Sequence, residues 1–122
     1  MPNILVVDDS ETARTQLRKD LENAGHVVIE ASDGVEGIQK VEQNQDTLQL
    51  ILCDINMPIM DGLAMCQNLF KTEKFRKIPK FMITTEVSAS MKQQAKEAGV
   101  TAWIVKPYSA EKLLQAIAKV VN

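Results

Sequence analysis

The 122-residue chain is 45% hydrophobic and 25% charged, the length of about one domain and the make-up of an ordinary globular core, which excludes a disordered tail or a fibre. Fourteen Lys+Arg against sixteen Asp+Glu leave a formal charge of -2, which argues against nucleic-acid binding, where clustered cations meet the phosphates. No apolar run approaches the ~20 residues that membrane insertion needs, and Asp8 and Asp9 come too early for a signal peptide, so a cytoplasmic location is expected.

Along the chain, short unbroken apolar runs alternate with helix-period stripes. Ile4, Leu5, Val6 and Val7 form the first run, which ends in Asp8 and Asp9. Ala13, Leu17, Leu21 and Ala24 follow on one helix face, with Gly25 placed to close it. His26 reads as a surface residue opening a second run, Val27, Val28 and Ile29. It has no second histidine, which argues against zinc. Val35, Ile38 and Val41 mark a second helix. The third run, Leu50, Ile51, Leu52 and Cys53, ends in Asp54. Pro58 and Gly62 then bound a defined turn before a third helix carrying Leu63, Cys66, Leu69 and Phe70.

Residues 71–80 form the most polar connection and read as a solvated loop. Phe81, Met82 and Ile83 end in Thr84. Met91, Ala95 and Ala98 mark a fourth helix closed by Gly99. Trp103, Ile104 and Val105 end in Lys106, and Ser109 caps a fifth helix with Leu113, Ile117 and Val120. Short apolar runs suit strands buried on both faces. Their alternation with helices predicts an α/β fold, a doubly wound five-stranded parallel sheet with five helices, as one domain over residues 1–122. Cys53 and Cys66 are two cysteines in apolar surroundings, expected to be buried, reduced thiols.

In an open parallel sheet, ligands bind outside the carboxyl ends of the strands. This sequence puts Asp8, Asp9, Asp54, Thr84 and Lys106 there. At ~4 Å and an effective dielectric near 20, each pair of like charges costs about 4 kcal/mol. Three converging carboxylates therefore call for a divalent cation or a shifted pKa. Hard oxygen ligands favour Mg²⁺. With the Lys106 ammonium and the Thr84 hydroxyl, such a site would receive a phosphoryl group, and Asp54 could accept it as an acyl phosphate. Whether the Lys106-Pro107 bond is cis is open, since only about 5–6% of X-Pro bonds are.

Together these residues resemble the receiver domains of two-component response regulators. The resemblance rests on Asp8-Asp9, the segment 54–62 (Asp-Ile-Asn-Met-Pro-Ile-Met-Asp-Gly), Thr84, and Lys106-Pro107. It covers essentially the whole chain. It implies the flavodoxin-like, CheY-like strand order 2-1-3-4-5. It also implies that Asp54 takes phosphate from a sensor histidine kinase. Mg²⁺ would be held by the side chains of Asp9 and Asp54, the backbone carbonyl of Asn56 and, through water, Asp8. Lys106 would pair with the phosphate and Thr84 would hydrogen-bond it. Thr84 and Trp103 match the switch positions, with Trp where Tyr or Phe is common. Asn56 and Glu86 match the positions that tune hydrolysis, as in similar chemotaxis regulators.

The resemblance further implies a stand-alone chemotaxis-type regulator, a self-phosphorylating phosphoacceptor and not a conventional enzyme. Its output partner, such as a flagellar motor component, would read the face made by the fourth helix, fifth strand and fifth helix. A phosphatase is a further candidate partner. The alternative is a phosphorelay intermediate that hands phosphate to a histidine phosphotransfer domain. A haloacid-dehalogenase-like phosphatase would want Asp in place of Asn56. A flavin carrier would not place Asp8 and Asp9 where its ligand's phosphate must sit.

Overall fold

The computed structural model describes residues 3–121. Five strands, β1 (Asn3–Val7), β2 (Val27–Ala31), β3 (Leu48–Cys53), β4 (Lys80–Thr84) and β5 (Ala102–Val105), form one sheet in the order β2-β1-β3-β4-β5. All neighbours are parallel. The helices are α1 (Glu11–Asn23), α2 (Gly34–Gln43), α3 (Gly62–Phe70), α4 (Glu73–Arg76), α5 (Ala89–Glu97) and α6 (Ala110–Ala118).

The sheet is apolar on both faces because its central strands alternate which face each residue serves. Leu5, Val7, Ile51, Cys53 and Met82 face α2, α3 and α5, where Val41, Leu63, Met65, Cys66, Leu69 and Ala95 meet them. Ile4, Val6, Leu50, Leu52, Phe81 and Ile83 face α1 and α6, through Leu17, Leu21, Leu113 and Ile117. Ile4, Leu5, Val6 and Val7 are all fully buried, as expected for a strand covered on both sides. Each such aliphatic side chain contributes roughly 1.5–3 kcal/mol on burial. Ser10, Asp33, Asp61, Ser88 and Ser109 cap their helices through side-chain oxygens. Gly25 and Gly99 close α1 and α5 in the left-handed region, at φ 93° and 85°.

Three sequence expectations need correction. The described residues contain six helices, not five, because the stretch 71–80 holds a short α4. That stretch also ends in a buried residue: Lys80 is 0% exposed and opens β4. Its Nζ donates to the carbonyls of Phe75 and Ile78, each at 2.8 Å, so the buried ammonium closes the α4 turn instead of meeting water. On α2 the buried residues are Gly34, Gly37 and Val41, with Ile38 packed against the same core as expected, but Val35 is exposed. Gly37 leaves room there for Met65, whose sulfur would lie 2.6 Å from an added Cβ.

His26 sits just before β2 and is half-buried, with Nδ1 out of solvent and unpartnered, and burial lowers its pKa. Cys53 and Cys66 are free and buried, as expected. Among the described residues no helix is long and apolar enough to cross a membrane.

Candidate functional site

The chain leaves β1 toward β2 on one side of the sheet and then toward β3 on the other, so the strand order reverses between β1 and β3. Ligands bind at such a switch point. Asp8 and Asp54 are the residues that follow these two strands. The ladder continues through them: the Asp8 N–H donates to the Ala31 carbonyl at 3.1 Å and the Asp54 N–H to the Val7 carbonyl at 3.0 Å. The Lys106 N–H likewise donates to the Thr84 carbonyl at 2.9 Å. Each backbone is thus held one residue past its strand, on a rigid platform.

Lys106 Nζ donates to Asp8 Oδ2 at 2.8 Å and to Asp54 Oδ2 at 2.9 Å. Residues 98 and 52 positions apart in sequence are joined through one ammonium. The Asp8 side chain is 3% exposed and that of Asp54 12%. Burial of Lys106 lowers its pKa, but the hydrogen bonds and charges of Asp8 and Asp54 outweigh it, and the net shift is upward. Lys106-Pro107 is cis.

Other groups fix the two acids. The Ser10 N–H donates to Asp8 Oδ1 at 2.9 Å, and the Asn56 N–H to Asp54 Oδ1 at 3.3 Å. Arg14 Nη1 donates to the Asp8 carbonyl at 2.6 Å while its Nε donates to Glu30 at 3.2 Å. Gly62 is pressed against Asp54: a Cβ there would lie 1.9 Å from the Asp54 carbonyl oxygen. Beside it, Ile59 stands at φ 69° with 82% exposure, and the Met60 N–H donates across it to the Pro58 carbonyl at 2.7 Å. That is a γ-turn around a β-branched residue in the left-handed region, a strained arrangement.

The switch-position residues form a second chain of contacts. Thr84 is 0% exposed, and its Oγ1 accepts from the Glu86 N–H at 3.2 Å. The Glu86 carbonyl accepts from Trp103 Nε1 at 3.1 Å. Trp103 is half-buried, with Lys92 Nζ 6.0 Å from its ring centroid.

The expected convergence of three carboxylates is only partly met. Asp8 and Asp54 come together on Lys106, whereas Asp9 is exposed. Among the described residues no group of three or more His, Cys, Asp or Glu is arranged to hold a metal. Lys106 supplies one counter-charge to Asp8 and Asp54. The ligands the resemblance implies, the Asp8, Asp9 and Asp54 carboxylates and the Asn56 carbonyl, are nonetheless all hard oxygens, which suits Mg²⁺ in kind.

Sequence reasoning placed Asp8, Asp54, Thr84 and Lys106 correctly at one edge. It missed Arg14, whose signal was a basic residue one helical turn after the Ser10 cap. It also missed the contact between Tyr108 and Asp20, a hydrogen bond of 2.8 Å that ties the segment after Lys106 to α1.

Known proteins are similar to this chain in sequence and fold. The family model for the response regulator receiver domain matches residues 4–118. Chemotaxis protein CheY1 of Helicobacter pylori is 38% identical over 115 residues, which cover 93% of this chain and 92% of that protein. The sensor histidine kinase CheAY of the same species is 35% identical over 114 residues, 93% of this chain but only 14% of the kinase. The solved structure of Vibrio cholerae CheY4 superposes with a TM-score of 0.91 at 35% identity, over 99% of both chains. A CheX-CheY-BeF3-Mg complex from Borrelia burgdorferi contains a chain that superposes at 0.90, with 28% identity, over 99% of this chain and 90% of that one. With the acids after β1 and β3 and the lysine after β5 lying where they do, the family match over 4–118 has a structural counterpart: the chain belongs to the response regulator receiver domain family.

Proposed function

We propose that the chain is a cytoplasmic chemotaxis-type regulator, switched by a phosphoryl group that Asp54 accepts from a phosphohistidine of a sensor histidine kinase. The observation that carries this reading is the shared ammonium. Lys106 holds Asp54 Oδ2 at 2.9 Å while the other oxygen accepts only a long bond from Asn56 N–H. An Asp54 oxygen attacks phosphorus, the phosphorus–nitrogen bond to the imidazole breaks, and the freed ring nitrogen takes up a proton. Lys106 then turns from the carboxylate to the phosphoryl oxygens, and the Thr84 hydroxyl donates to another. Mg²⁺ would be held by Asp9, Asp54 and the Asn56 carbonyl, with Asp8 reaching it through water. When bound it offsets the negative charge of donor and acceptor.

Asn56 and Glu86 flank this pocket and tune how long the phosphoryl group survives. Thr84 and Trp103 pass its presence to the face built from α5, β5 and α6, which an output partner such as a flagellar motor component reads. A phosphatase would reset it. On this reading the chain takes part in its own phosphorylation and dephosphorylation without turning over a free substrate. The relatives' names support the chemotaxis setting, and the BeF3 and Mg in the Borrelia complex support the ligand class. The test is labelling by a small acyl-phosphate donor with and without EDTA. Labelling that needs Mg²⁺ supports the reading, and labelling indifferent to EDTA overturns the metal assignment.

A further inference from the structure

Behind Asp54, on the face covered by α2, α3 and α5, three sulfur atoms meet. Cys53 Sγ lies 3.9 Å from Cys66 Sγ and 3.3 Å from Met82 Sδ. Both thiols are free, and the three residues are at most 2% exposed. The meeting is built by register. Parallel pairing sets Cys53 beside Met82 and Ile51 beside Lys80, and α3 brings Cys66 over them. Lys80 and Met82, two apart on β4, share a face. The Lys80 ammonium, fully buried, spends two of its three N–H groups on the Phe75 and Ile78 carbonyls.

We propose that Cys53, Cys66 and Met82 form a binding site for a soft monovalent cation of the Cu(I) class. Thiolate and thioether donors select soft cations over Mg²⁺ or Ca²⁺. A metal–sulfur bond of about 2.3 Å in a trigonal plane sets the sulfurs roughly 4 Å apart. The two cysteines are already at that spacing. The Met82 sulfur must withdraw by several tenths of an ångström, and three rotatable bonds give a methionine that freedom.

Charge decides between a monovalent and a divalent ion. Binding releases one proton from each thiol and forms two metal–thiolate bonds, so a monovalent cation leaves a net charge of minus one. The Lys80 ammonium on the same face restores neutrality. A divalent ion would form a neutral centre and gain nothing from that ammonium, whose charge would stay as uncompensated as it is beside two neutral thiols. This donor set is distinct from the oxygen set at the sheet edge, and the inference does not depend on Asp54 being a phosphoacceptor.

The test is an anaerobic competition in which the reduced chain is added to Cu(I) held by bathocuproine disulfonate, whose colour reports the metal it retains. The wild-type chain is expected to withdraw one equivalent. Cys66→Ala should bind about 100-fold more weakly, and Met82→Leu, which keeps the volume, about 10-fold. Far-UV circular dichroism checks that each variant is folded. If Cys66→Ala does not fold, Met82→Leu decides alone. No withdrawal by the wild type, or full affinity in a folded variant, overturns the proposal. Tighter uptake of Zn²⁺ than of Cu(I) overturns the charge argument.

Discussion

Trp103 donates its indole N–H to the backbone carbonyl of Glu86 at 3.1 Å. The Glu86 N–H in turn donates to Thr84 Oγ1 at 3.2 Å. The backbone of one residue after β4, Glu86, therefore links the Thr84 hydroxyl to the ring on β5. If Thr84 turns toward a phosphoryl group, the Glu86 backbone loses its anchor and the indole loses a fixed acceptor. A population shift of the ring follows. Trp103 is the only tryptophan, so its emission should change on adding Mg²⁺ and a phosphodonor. Thr84→Ala should still accept label but lose most of that change. Unchanged wild-type emission contradicts the coupling.

Among the described residues Lys106 is the one cation paired with the side-chain carboxylates of Asp8 and Asp54. Replacing it with Ala leaves two largely buried carboxylates facing each other. Breaking such a pair costs about 3–5 kcal/mol when fully buried, and Lys106 itself is 20% exposed, so a loss of about 2 kcal/mol is expected at pH 7. Urea unfolding measures it as a lower midpoint at unchanged slope. A loss below about 0.5 kcal/mol would mean that water already screens the acids.

Tyr108 gives a pH signature. Burial and then the Asp20 carboxylate, which accepts the phenol at 2.8 Å, raise its pKa well above the ordinary value. The neutral phenol is thus favoured in the folded state. The stability this supplies is whole below pH ~10 and is lost as pH rises toward the folded-state value. Tyr108→Phe should cost about 1 kcal/mol at pH 7. The gap between wild type and variant should narrow above pH ~10. A gap independent of pH would show that the hydrogen bond contributes nothing.

The strands, the cap at Ser109, the closing glycines 25 and 99, and the alignment of Asp8, Asp54, Thr84 and Lys106 were legible because each follows from local pattern. The strand order came from family resemblance, since periodicity says which segments are strands and not which are neighbours. The pairing of Lys106 with Asp8 and Asp54 was not legible for a related reason. Coulomb repulsion among acids can be counted from sequence, but which cation relieves it depends on where the Lys106 side chain reaches. Lys80 was hidden by composition. A lysine in a polar stretch looks solvated unless one knows that two carbonyls wait for it.

Ile59 is another feature that no pattern announces. Its φ of 69° suits glycine, and its side chain is 82% exposed, so little packing would be lost on truncation. The left-handed conformation costs an L-residue roughly 1–2 kcal/mol, while glycine gives back about 0.5–1 kcal/mol through the unfolded chain's entropy. Ile59→Gly should therefore stabilise the fold by about 0.5–1 kcal/mol, read as a higher thermal midpoint. A lower midpoint would show that the turn is held by side-chain contacts.

The most direct measurement of the central claim is the mass of the intact chain after exposure to Mg²⁺ and a small acyl-phosphate donor, for the wild type and for Asp54→Asn. The wild type should gain one phosphoryl group, lost again on alkaline hydroxylamine treatment as an acyl phosphate must be, and Asp54→Asn should gain none. A phosphoryl group on Asp54→Asn at the wild-type level would contradict the assignment of Asp54 as the acceptor.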